Sequence, residues 1–169
     1  MANFSERMGL VKKVLQKDSM DEQLKNALWN AAFLVFLNTA DRYNDVGRGL
    51  LKRIWANHFH QPADELPAPS YLAITRIKER YMASSWASVY DFVEFIAQLQ
   101  VLRSYHDDYV SACNFALVKH VSAYRLLDGV VTPITSDEEI DAVEHAVSQG
   151  GKFAPAAEHL KTALARFVA

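Results

Sequence analysis

The chain has 169 residues, 50% of them hydrophobic, and a formal net charge of −2 at pH 7. That suffices for one domain around one core, and it gives no reason to expect nucleic-acid or anionic-membrane binding by bulk electrostatics. The single cysteine, Cys113, excludes an internal disulfide. Together with the lack of a charged-then-apolar leader, it predicts a soluble cytoplasmic protein. The longest apolar run, 31–37, is far shorter than the roughly 20 residues that span a bilayer.

Taken in order, the chain reads as helix after helix. A short polar opening ends at Gly9, and Val11-Lys-Lys-Val-Leu-Gln16 alternates loosely enough for a short strand. Ser19-Met-Asp-Glu22 has the form of a capping box, opening a helix that runs to about Thr39. Over 31–37 that helix is apolar on every face, which predicts the central buried helix of the domain. The segment 44–49 reads as a loop before a helix over 50–59, and three prolines in 61–69 predict an extended connector. Ser70 is expected to cap a helix to about Ala83. Further helices are predicted over 87–102 and 105–122 from apolar residues at helical spacing. Trp29, Phe33, Phe36, Phe92, Ile96 and Leu117 lie on the most apolar faces and are the expected core. Cys113, inside a helical run, reads as a small buried hydrophobe.

Asp128-Gly129 then separates two short apolar runs within 124–134, the strongest local hairpin signal, because a type I′ turn needs positive φ at both central residues. Ser136 and Glu139 form a second capping box, opening an acidic helix over 137–149. Gly150-Gly151 follows as a hinge, and a last helix starts near Pro155. The expected fold is therefore mainly α, about six or seven helices with one small β-hairpin. Its division is a domain over 1–149 and a hinge with closing helix over 150–169. That last helix either connects to a following domain or second subunit, or folds back through Phe153, Leu160, Leu164 and Phe167 onto the core.

Candidate chemistry is sparse. Arg53 and His58 match the spacing used by metal-independent helical ribonucleases, in which histidine is the acid/base and arginine holds the phosphate. With nine arginines and six histidines, about one such match arises by chance. A polar residue is also usual where Ile54 stands. His106-Asp107 could join His58 or His60 and Asp141 in a metal phosphohydrolase set, but an Asp-rich helix start explains it as well. No complete ligand set occurs at His58, His60 or His106, so neither a metal nor a cofactor is expected.

Several segments together resemble one family. They are Phe4-Ser-Glu-Arg-Met-Gly9, Ser19-Met-Asp with Leu28-Trp-Asn30, and Tyr124-Arg-Leu-Leu-Asp-Gly-Val-Val-Thr-Pro-Ile-Thr135 with Glu139-Ile140. They are similar to the α-helical N-terminal domain of AbiJ-type abortive-infection proteins of bacteria. The resemblance covers both ends and leaves 45–102 poorly matched. It implies a non-catalytic sensor or interaction domain that signals to a C-terminal HEPN domain, a presumed RNase. Its implied partners are that effector or a phage-derived trigger, with a homodimer left open. The chain stops where such an effector would begin, so an excised or stand-alone domain is expected. The coupling residues would be Tyr124, Arg125, Asp128, Gly129 and Glu139. The alternative is a small helical ribonuclease using Arg53 and His58.

Overall fold

A computed structural model describes residues 4–8, 13–39 and 44–134 of the chain. The described fold is mainly helical and closes on one antiparallel hairpin. After a single turn, α1 (Phe4–Arg7), come α2 (Glu22–Val35), α3 (Asn44–Arg53), α4 (Ser70–Met82), α5 (Trp86–Ala97) and α6 (His106–Lys119). The strands are β1 (Tyr124–Leu127) and β2 (Val130–Pro133).

The core is a slab of aromatic and aliphatic side chains between α2, α5 and α6. Trp29, Tyr81 and Phe92 meet at centroid distances of 5.0–6.3 Å, and Phe36 lies 4.9 Å from Tyr109. Trp29, Phe36, Phe92, Ile96, Leu117 and Cys113 are all buried, as their spacing predicts. Phe33 is only partly buried, and Leu34 stays 66% exposed. The apolar run of α2 therefore has one face in the core and one on the surface, like any amphipathic helix.

Helix starts differ from expectation in small ways with local causes. At α2 the cap is Asp21, whose carboxylate accepts from Leu24 N at 2.7 Å, two residues past Ser19. Pro69, not Ser70, stands at the cap of α4, with no side-chain bond. The glycines of 44–49 lie inside α3 rather than in a loop, because Leu50, Leu51 and Ile54 bury beneath that helix and outweigh glycine's poor propensity. The long helix expected over 87–102 stops at Ala97, where a 3-10 stretch, Gln100–Tyr105, turns the chain into α6. The strand expected over 11–16 is reduced, among its described residues, to one parallel bridge between Gln16 and Ser122.

The hairpin turns where Asp128-Gly129 predicts. Asp128 has φ +50° and Gly129 φ +76°, and the register pairs Leu127 with Val130 and Leu126 with Val131. The helix over 137–149, the Gly150-Gly151 pair and the closing helix lie outside the described residues.

Candidate functional site

Beyond Arg53 the backbone does not stop at the end of α3. It continues for one π turn, Ile54–His58, in which Phe59 N bonds to Ile54 O at 3.2 Å. Buried Ile54 and Trp55 anchor this turn, and Trp55 Nε1 donates to Pro62 O at 2.9 Å, holding the proline connector against it. The wider turn carries Asn57, His58, Phe59 and His60 to the wall of an open groove of about 650 Å³. One-turn π segments of this kind recur at functional sites. His60 itself has φ +53°, a left-handed conformation that costs a non-glycine residue about 1 kcal/mol.

The floor of the groove is the outer face of α5. Ser88, Asp91, Phe95 and Gln98 recur there at helical spacing, and Glu94 completes the row. Arg80, Ala83 and Ser84 form the end where α4 gives way to α5. His58 is half-buried and packs against Phe59, Phe92 and Phe95 with centroids 4.6–5.3 Å away. Burial holds its pKa below the usual 6.5; the Asp91 carboxylate opposes this and His60 adds to it. The imidazole facing the groove is therefore neutral at pH 7, a state suited to accepting a proton or a hydrogen bond.

At its other end the groove meets the hairpin. Glu94 Oε1 accepts from Val131 N at 2.6 Å, and Gln98 Nε2 donates to Gly129 O at 3.2 Å. On the opposite strand, Asn114 of α6 bonds both backbone groups of Leu126. Tyr124 donates its hydroxyl to Lys17 O at 2.9 Å and lies 4.9 Å from Tyr90. Arg125 is buried, its guanidinium donating to Ser122 O and Tyr124 O. Asp128 is exposed at the turn. Of the expected coupling residues, Tyr124, Arg125, Asp128 and Gly129 thus share one hairpin, while Glu139 lies outside the described residues.

The expected catalytic pair is not brought together in the groove. His58 lines it, but Arg53 is exposed and is not among the lining residues, whose guanidinium comes from Arg80. His106 starts α6 with Nδ1 bonded to Ala97 O at 3.1 Å and is not among the lining residues, and Asp141 lies outside the described residues. Among the described residues no three His, Cys, Asp or Glu side chains could together hold a metal ion, and no helix is long and apolar enough to cross a membrane. Sequence reasoning missed Arg80, Asp91, Glu94 and Gln98. The available signal was a polar row on an otherwise apolar α5.

The chain belongs to the AbiJ N-terminal domain 4 family, whose model matches residues 2–149. No curated protein and no solved structure matches the chain with significance.

Proposed function

We propose that this chain is the sensing domain of an abortive-infection protein, passing an event at the α5 groove through the hairpin to an associated HEPN effector. The observation that carries the reading is the double use of α5. Glu94 and Gln98 line the groove and also hold the backbone of Val131 and Gly129. A ligand that engages these side chains competes with the hairpin for them. The hairpin leads directly into the chain beyond residue 134, so a shift there alters what the effector sees.

The ribonuclease reading rests on the neutral imidazole of His58, which faces an open groove as a general base must. The position of Arg53, exposed and outside the lining, argues against the pair expected for that chemistry. The groove also carries two carboxylates to one guanidinium, a poor cradle for phosphates.

The test is a phage challenge of cells carrying the complete protein with Glu94→Ala and Gln98→Ala. Loss of protection, with cooperative unfolding of the domain retained, is the expected result. Unchanged protection overturns the coupling. RNA cleavage by the purified chain, abolished by His58→Ala, would establish the ribonuclease instead.

A further inference from the structure

The sensing reading leaves the groove's ligand open, and the inference below rests on that reading. We infer that the groove takes a peptide segment carrying a guanidinium side chain, seated between Asp91 and Glu94 against the aromatic wall.

The groove is unevenly charged: Arg80 stands toward its α4 end, and Asp91 and Glu94 lie along α5. Ser88 and Gln98 are ten residues apart on the α5 side, so the floor is about 15 Å long, enough for a short extended segment. Asp91 and Glu94 are three residues apart and face the same way, about one helical turn from each other. Asp91 is exposed, and Glu94 uses one oxygen on Val131 N. Between and beside them stand the rings of His58, Phe59 and Phe95. Carboxylates beside aromatic rings suit a planar cation, which the acids bind by charge-assisted hydrogen bonds and the rings by cation–π contact. An ammonium would satisfy the charge but not the planar, stacked geometry.

The single guanidinium of the lining, Arg80, lies toward the α4 end. It suits the carbonyls or an acidic neighbour of the same bound segment. An anionic ligand such as a nucleotide would gain Arg80 and meet both carboxylates, so the charge balance disfavours it.

Occupancy has a structural consequence. A guanidinium bonded to Glu94 competes with Val131 N for that carboxylate, which weakens the clip of the second strand to α5. The ligand class and the signalling step are thus joined at one side chain.

The experiment is an NMR titration of the 169-residue chain with acetyl-Ala-Arg-Ala-amide. Acetyl-Ala-Glu-Ala-amide and adenosine 5′-monophosphate serve as comparison probes. The arginine peptide is expected to bind on the order of millimolar and to shift the amides of His60, Asp91 and Phe95. Asp91→Asn should weaken that binding about tenfold or more. Because Asp91 is exposed, this variant keeps the fold. Hydrogen exchange at Val131 N should rise several-fold on saturation. Three outcomes overturn the ligand class: no saturable shift with the arginine peptide, tighter binding of the glutamate peptide or the nucleotide, or indifference to Asp91→Asn. None of these touches the phage-protection test of Glu94 and Gln98. Binding that depends on Asp91 but leaves Val131 exchange unchanged overturns the unclipping step and supports the ligand class.

Discussion

Asn114 and Leu126 exchange two hydrogen bonds: Asn114 Nδ2 donates to Leu126 O, and Leu126 N donates to Asn114 Oδ1, each at 2.8 Å. The side-chain amide acts as a one-residue third strand. In a two-residue hairpin the pair flanking the turn, here Leu127 and Val130, bonds inward, and the next pair turns its backbone groups outward. That next pair is Leu126 with Val131. Asn114 of α6 satisfies one side of it and Glu94 of α5 the other, so both edges of a very short ribbon are fixed by helices.

Asn114→Ala should therefore cost about 2 kcal/mol, because it leaves a buried N–H and C=O of Leu126 without their partner. Asn114→Asp keeps the acceptor but sets a carboxylate oxygen against Leu126 O, and should cost at least as much. Urea unfolding of both variants checks the order. Equal stability of parent and Asn114→Ala would show that the clip contributes nothing.

Two glycines should respond in opposite directions to the same substitution. Gly49 lies inside α3, and a Cβ built there meets nothing within 4 Å. Gly49→Ala should stabilise the chain by about 0.5–1 kcal/mol through helix propensity and a stiffer unfolded chain. Gly129 has φ +76°, and its Cβ would stand 3.6 Å from Gln98 Cγ. Gly129→Ala should cost about 1 kcal/mol from the left-handed backbone alone. Paired thermal melts read both signs.

The core of α2 offers a larger effect. Phe36 is 1% exposed and packs against Tyr105 and Tyr109 at 6.2 and 4.9 Å between centroids. Phe36→Ala should cost about 3–5 kcal/mol by loss of burial and cavity formation. A melting point within a degree or two of the parent would contradict the packing of α2 on α6.

The hairpin was legible in the sequence because Asp128-Gly129 encodes its turn locally, and the core because Phe36, Phe92 and Ile96 recur with the period of a helix. Caps were legible only to within two residues: Ser19 and Asp21 are both good caps, and only the chain's approach, with Gln16 Oε1 accepting from Asp21 N, decides between them. The groove was not legible in the same way. Arg80, Asp91 and His58 are far apart in the chain, and the π turn that presents His58 has no residue signature of its own. Arg53 and His58 stand out by spacing alone, which says nothing about which face each side chain takes when the helix widens between them.

His58 supplies a pH dependence with a definite sign. Its ring is half-buried against Phe92 and Phe95, and that burial holds its pKa in the folded chain below 6.5; the Asp91 carboxylate works against the shift and His60 with it. The unfolded chain, with the ordinary value, then binds a proton more readily than the folded one. Where the unfolded state holds more protons, stability rises with pH. The contribution is fully present above about pH 6.5 and is lost as pH falls from there through the lower folded value, below which the loss levels off. His58→Gln removes this titration and leaves the other histidines in place. The melting temperature of the parent should therefore fall more steeply between pH 7 and pH 5 than that of the variant, whatever constant offset the lost ring contacts introduce. Parallel profiles over that range would show that the folded chain tolerates a charged His58, and the neutral imidazole assigned to the groove would have to be given up.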